Sequence, residues 1–444
     1  MMQNRQIITT IEDVVQRTPI LDTHEHLIEE ARRLAEPRVD DPFYPCNDWS
    51  YLYHHYARQD LYSAGFTSEM DRQFFDPQVD PKDKWRIFAP FYERTGNTAY
   101  FLAVRHTLRL LFEEEDIHEG NVERISEKMR AQTCKGFYNI IVRDVANIES
   151  CQVNSLEYML CETEYPDLLL QDMSINWLCT GLSHQAVVSS KSRTLEEWYR
   201  TIDWHFERYG PRAIAVKTQA AYWRDLSFDR VTFEEGAPLF ARFANDAHAL
   251  SEGELKALQD HLFHYCVQRA IDYHLPIKLH CGYLAENNKM PLGRLKRIAS
   301  DLCPLLQAYP EASFILMHIG YPYQHEFIAL AKHYSNIYLD MCWAWLVNPL
   351  ASIHFLKEAL MAVPSAKLFG FGGDYYLVEP IVGHAWIARQ GIAQALSELV
   401  LEGWMSEESA LRAARQMLRE NALRLFEYEQ VQREWQRQHH PGSI

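Results

Sequence analysis

Long hydrophobic runs are missing from this 444-residue chain, and with them any segment of membrane-spanning length. The first twenty residues, MMQNRQIITTIEDVVQRTPI, hold neither a long apolar stretch nor a small-residue cleavage site, so a cytoplasmic protein is expected. Paired CxxC cysteines are missing too. The nine cysteines are scattered and odd in number, which points to reduced thiols rather than a disulfide scaffold or a zinc ribbon. Positive charge is in deficit: 44 Lys and Arg stand against 60 Asp and Glu. The resulting formal charge of −16 disfavours nucleic acid and anionic membrane surfaces as partners. A small-molecule partner is expected instead, and homo-oligomerisation is left open. No GxGxxG follows the first apolar run, which argues against a doubly wound dinucleotide-binding sheet. Repeats, low-complexity tracts and Pro/Gly/Ser-rich linkers are absent as well.

What is there is a series of short β-type runs, each followed by a polar turn and a helix-like stretch. They are ILDTHEHL from residue 20, IESCQVN (148–154), LLLQDMSIN (168–176), AIAVKT (213–218), PIKLHCG (276–282), SFILMHIG (313–320), NIYLDM (336–341) and KLFGFGGD (367–374). Strands that alternate with helices pair in parallel through crossovers, and near-continuous apolar strands belong to a sheet covered on both faces. Eight such units predict an α/β protein with a (β/α)8 TIM-type barrel. SEESALRAARQMLRENALRLFEY, from Ser406, reads as its closing outer helix.

One interval is too long for a barrel loop. Roughly 120 residues separate the first run from the second, far above the usual loop length. This stretch includes GNTAYFLAVRHTLRLLFEEED, whose apolar spacing is helical. The expected organisation is the first strand within residues 1–30, a mostly helical insertion at the barrel mouth over 31–145, and the remaining barrel with its closing helix over 146–444. Loops that follow barrel strands emerge on the catalytic face, which places the insertion there.

The polar residues at the ends of these runs carry the chemistry. In LDTHEHL, His24 and His26 share one face of a strand, so both imidazoles can grip one metal ion. Alone, the heptapeptide reads equally well as a helix start capped by Asp22 or Thr23. Lys217 ends the fourth run, His280 the fifth, His318 the sixth and Asp374 the eighth. Any one of them has a bland explanation as a hydrogen-bonded strand-end residue or a turn. Together they put nitrogen and carboxylate donors at one end of separate strands, the set that zinc and similar divalent metals prefer.

This pattern resembles the amidohydrolase superfamily. The signature there is HxH on the first strand, Lys on the fourth when two metals are bound, His on the fifth and sixth, and Asp on the eighth. The resemblance implies metal ligands at His24, His26, Lys217, His280, His318 and Asp374. It also implies that Lys217 can carry a carbamate bridging two metals. AIAVKTQAAYWRDLSF and PIKLHCGY are similar to the amidohydrolase-2 branch, which includes the barrel domain fused to some glutamine-synthetase-like proteins. YHHYARQDLYSAGF and GNTAYFLAVRHTLRLLF resemble a diverged uronate isomerase insertion. The chain departs from uronate isomerases in having no arginine after His280 before Arg294 and no Asp-Ser-Arg-like end to its eighth strand.

The expected activity is that of a metal-dependent hydrolase acting on a C–N or C–O bond of a small polar, carboxylate-bearing substrate. Zinc is the expected metal, one or two ions per chain, and it would lower the pKa of a bound water towards about 7 so that hydroxide attacks. Asp374 is suited to moving that water's proton to the leaving group, and His318 to holding a second metal or polarising the substrate carbonyl. Tyr222, Tyr321, Trp343 and Trp345 flank the strand ends as candidate pocket walls, with ordinary packing as the alternative. Arg58 is a candidate clamp for a substrate carboxylate, with His55 nearby; a salt bridge is the competing reading. A uronate-isomerase-like or decarboxylase-like enzyme with the same metal is the second expectation, and a barrel that has lost its chemistry the third.

Overall fold

The computed structural model describes residues 2–285 and 289–439. Its frame is an eight-stranded sheet in sequential order. The strands are β1 (Ile20–Glu25), β2 (Ile148–Val153), β3 (Leu169–Ser174), β4 (Ala213–Thr218), β5 (Ile277–Leu279), β6 (Phe314–Leu316), β7 (Ile337–Asp340) and β8 (Leu368–Phe369). All seven neighbouring pairs are parallel. The ring closes where β1 meets the chain just beyond β8: Thr23 N–H donates to the Phe371 carbonyl, Asp374 N–H to that of His24, and His26 N–H to that of Tyr375. This is the (β/α)8 barrel that the eight apolar runs predict. Every residue of β1 and β4 is buried, as expected of strands covered on both faces.

The later strands are shorter than their apolar runs. β5 and β6 keep three residues each and β8 two, so His280, His318 and Asp374 sit just past the ladder rather than in it. The backbone turns there. His318, Ile319, Trp343 and Asp374 all have positive φ, between 49° and 63°. Left-handed geometry is disfavoured for residues with a Cβ, and such clusters persist where the surroundings over-determine them.

Between β1 and β2 the chain is helical, with main helices Tyr56–Ser63, Ser68–Phe75, Pro81–Thr95, Ala99–Phe112 and Val122–Gln132. Aromatic residues knit them together: Trp49, Phe74 and Phe88 stack edge-on or face-on around one another. The long helix after β8, Pro380–Leu401, packs against Ala99–Phe112 at very close range. A Cβ on Gly383 would lie 1.8 Å from the Ala103 carbonyl oxygen, so only glycine fits. Buried Arg33 pairs in fork geometry with Glu379 at 2.6 and 2.9 Å, tying the chain after β1 to the start of the same helix.

Two helices beyond the expected set flank the barrel, Met2–Arg17 and Tyr428–His439. Arg389, on the long helix, donates to the carbonyls of Val15, Thr18 and Asn147 and so joins the first helix to the floor of the barrel. The stretch from Ser406 is not one helix. It runs Glu407–Arg415, widens into a π-helical turn at Gln416–Glu420, and resumes at Asn421–Leu425. The wide turn frees the Met417 carbonyl to accept the Gly370 N–H at 2.9 Å, which ties β8 to the outer layer.

Candidate metal centre

Six of the strand-end residues meet at the C-terminal rim of the barrel, all of them buried or nearly so. Asp374 Oδ1 lies 3.1 Å from His24 Nε2 and 3.2 Å from His26 Nε2, and those two nitrogens are 3.3 Å apart. Lys217 Nζ is 3.2 Å from His24 Nε2. Across the rim, His318 Nε2 lies 3.0 Å from His280 Nδ1. His24, His26 and Asp374 form one group of donor atoms within 4.8 Å of one another, and His318, Cys342 and Asp374 form a second. His280 pairs with His318 and belongs to neither group among the described residues.

Three of the four outer nitrogens are committed to main-chain oxygens. His26 Nδ1 donates to the Asn154 carbonyl at 2.6 Å, His318 Nδ1 to that of Cys342 at 3.0 Å, and His280 Nε2 to that of Tyr283 at 2.9 Å. His24 Nδ1 faces Asp172 at 3.7 Å. With the N–H of His26, His280 and His318 spent outward, their inward nitrogens present lone pairs, which face one another, His24 Nε2 and a carboxylate. Electron pairs at 3.0–3.3 Å repel unless a cation lies among them.

The electrostatics agree. Burial pulls the His24 imidazole down to about 4 and His318 down to about 3, and holds His280 well below the usual histidine range. Burial also lowers Lys217, towards the neutral amine that ligation or carbamate formation requires. Asp374 is pushed up by burial, but the adjoining imidazoles of His24, His26 and His318 hold it well below the ordinary carboxylate range. The donor set is therefore nitrogens, with His24, His280 and His318 held neutral by burial, around one carboxylate, which fits a divalent cation.

The surrounding chain fixes these groups. Tyr56 OH donates to the Asp374 carbonyl at 2.7 Å, so a helix between β1 and β2 holds the end of β8. A Cβ on Gly373 would lie 1.8 Å from Glu25 Oε1, which explains the glycine next to Asp374. Beneath His24, Lys278 Nζ bonds both oxygens of Asp172 at 2.7 and 2.8 Å and the Thr23 carbonyl at 2.7 Å. Sequence reasoning passed over Asp172 and Lys278, although a charge inside a continuous apolar strand is itself a signal, since such residues are seldom fully buried unless paired. It also passed over Cys342, which stands just past NIYLDM at the same end as the other donors.

Trp343 is buried, with its ring 5.5 Å from that of His318 and stacked on Tyr56 at 4.7 Å. His55 is half-buried against Tyr56 and Tyr376, and its Nδ1 has no hydrogen-bond partner among the described residues. The Tyr222 ring lies 4.7 Å from His280, and the Tyr321 ring 6.1 Å from Tyr283. Trp345 instead packs against Gly391 and donates to the Gly370 carbonyl, a core position. Arg58 is engaged by Asp71 in a bidentate pair at 2.5 and 2.6 Å, so a substrate carboxylate would have to displace Asp71. A cavity of about 400 Å³ opens beside His26, lined by Glu29, Arg32, Phe43 and Tyr158 among others. Burial raises Glu29 in its wall to about 7.

The comparisons with known proteins bear on this geometry. Two solved structures share the fold: a uronate isomerase from Thermotoga maritima, with a TM-score of 0.73 at 15% identity over 95% of this chain and 97% of that one, and a glucuronate isomerase from Caulobacter crescentus, with a TM-score of 0.72 at 16% identity over 96% and 94%. Protein fluG of Emericella nidulans is 32% identical over 157 residues, 34% of this chain, and the match spans 17% of its own length. A family model described as amidohydrolase matches residues 193–427, more than half of the chain and all of β4 to β8. With that match and a histidine and aspartate cluster at the expected end of a closed barrel, the chain belongs to the amidohydrolase family.

Proposed function

We propose that this protein is a metal-dependent hydrolase cleaving a C–N or C–O bond of a small polar, carboxylate-bearing substrate. The observation that carries the reading is the convergence of His24 Nε2, His26 Nε2 and Asp374 Oδ1, which lie within 3.3 Å of one another. A divalent cation held there, zinc in our reading, supplies Lewis acidity and makes hydroxide available near neutral pH. The rest is done by the chain. Asp374, ionised and with Oδ1 turned to His24 and His26, has its second oxygen for taking a proton from the attacking water and delivering it to the leaving group. Trp343 and Tyr56 wall the site with stacked rings and limit bulk water. Lys217, buried and with its pKa lowered by that burial, is competent either to take up carbon dioxide as a carbamate or to orient substrate. Placement on separate strand ends fixes each group relative to the others before substrate arrives.

A second reading, uronate-isomerase-like or decarboxylase-like chemistry at the same centre, is favoured by the helices between β1 and β2 and by the extent of the fold shared with the two isomerases. One experiment separates them. Elemental analysis of purified protein and of His24→Ala should show divalent metal that is largely lost in the variant. Metal-loaded enzyme is then offered amides, lactones and uronic acids, and turnover of an amide or lactone is expected. Turnover of uronic acids alone would select the second reading. A folded, metal-free wild type after growth in zinc-supplemented medium would sink both.

A further inference from the structure

We propose that Cys342 is a metal ligand and that His318, Cys342 and Asp374 form a second metal position, with Asp374 shared between it and His24 and His26. This deepens the metal-dependent reading above and rests on it. The donor atoms of the three residues lie within 4.8 Å of one another, and all three side chains are buried. Cys342 follows the end of β7, so the seventh strand contributes at the same rim as the first, sixth and eighth.

Three further observations turn the thiol towards the centre. Its sulfur forms no hydrogen bond among the described residues, whereas the buried Cys179 donates to the Ile175 carbonyl at 3.1 Å. The backbone opposite is glycine: a Cβ on Gly372 would lie 2.8 Å from Cys342 Cβ and 3.0 Å from its sulfur, so any larger residue would crowd the thiol out of its place. The main chain of Cys342 is pinned at both ends. Its N–H donates to Asp340 at 2.8 Å and its carbonyl accepts from His318 Nδ1 at 3.0 Å, which sets thiol and imidazole side by side.

On binding, the thiol gives its proton to solvent and the thiolate binds the cation through sulfur; no electron is transferred. The anionic donor of the second position is then a side chain of the chain itself, and Lys217 need not be modified. A thiolate also biases the position towards zinc, cobalt or cadmium over magnesium or manganese, which prefer oxygen.

The test uses the full chain, stripped with a chelator and reloaded with cobalt or zinc. The accessible thiols Cys134, Cys161 and Cys303 are alkylated beforehand. Two metals per chain are expected. The cobalt form should show a near-ultraviolet thiolate-to-cobalt charge-transfer band, and X-ray absorption of the zinc form should show a sulfur neighbour at about 2.3 Å. Cys342→Ser and Cys342→Ala should lose the band and one metal while keeping the other. If neither variant folds, the sulfur neighbour in alkylated wild type still decides the matter. Metal bound only through nitrogen and oxygen, or a band that survives in Cys342→Ser, overturns the assignment and leaves the hydrolase reading standing. Two metals without sulfur, one of them lost in Lys217→Ala, would overturn it in favour of the carbamate. No metal bound at all would overturn both.

Discussion

Asp374 is the residue on which most of the site depends. It touches His24 of β1 and His26 just beyond it, its N–H closes the barrel against His24, and its carbonyl takes the Tyr56 hydroxyl. Asp374→Asn keeps the volume and the main-chain bonds but cannot carry a proton. Turnover should therefore fall roughly 10²–10⁴-fold, the usual range for a general acid/base, while KM changes far less. Steady-state kinetics on the first substrate found will check this, and near-wild-type turnover would move the proton shuttle to another residue. The imidazoles behave differently. His26, His280 and His318 are each oriented by a main-chain acceptor on the outer nitrogen, so their orientation depends on backbone oxygens that no side-chain substitution removes.

At the scale of elements, the contact that joins the inserted helices to the barrel is the crossing of Ala99–Phe112 with Pro380–Leu401. Gly383 permits it because the Ala103 carbonyl occupies the place of a side chain. Gly383→Ala forces the two helices apart and should cost at least ~1–3 kcal/mol, the range for overpacking a tight core. Gly253, in the first turn of the helix Glu252–Asp272, has nothing within 4 Å of its would-be Cβ. Gly253→Ala should be neutral or stabilising by up to about 1 kcal/mol. Urea midpoints of the two variants beside wild type test the pair. Equal behaviour would mean that the helix crossing adjusts freely. Because Tyr56 reaches Asp374 from the same inserted region, Gly383→Ala is also expected to lower metal affinity.

For the whole molecule, burial of ionisable groups sets the response to pH. His24, His106 and His205 are pulled down to about 4, and His55, His318 and His384 to about 3, in each case chiefly by burial. Their unfolded value is about 6.5. Each therefore contributes stability that is whole above pH 6.5 and lost as pH falls through 4 and 3, because the unfolded chain takes up the proton first. Asp172 and Asp374 add to this on the acid side: burial raises both, but Lys278 and the histidines bring them below the ordinary range. Burial raises Asp22 and Glu29 to about 7 and Asp340 to about 6, and these work the other way, with their contribution whole near pH 4 and lost as pH rises through 6 to 7. The first set is larger. The metal-free protein should thus lose stability steadily from pH 6.5 to 4, read as a falling urea midpoint, and a midpoint that stays level or rises over that range would show that the buried carboxyls dominate.

The sequence by itself determined the frame and most of the site. Eight apolar runs separated by helical stretches admit few arrangements other than a parallel barrel, and all eight strands fall inside the runs. The rule that donor residues at the C-terminal ends of such strands share one rim placed His24, His26, Lys217, His280, His318 and Asp374 before any contact was known. What only the tertiary structure decided are distances and partners that depend on the closure of the ring. AIAVKT is legible because strand pattern is local; the claim of Asp71 on Arg58 is not, since thirteen residues and a helix boundary separate them. His280 turned to His318 rather than to His24 because the chain bends sharply after β5 and β6, a left-handed turn at His318 and Ile319 that no β-branched or histidine residue announces. Cys342 was passed over for the opposite reason. Its place just past the seventh run is legible but does not single out one cysteine among nine, and it becomes a candidate ligand only when β6, β7 and β8 set its sulfur beside an imidazole and a carboxylate.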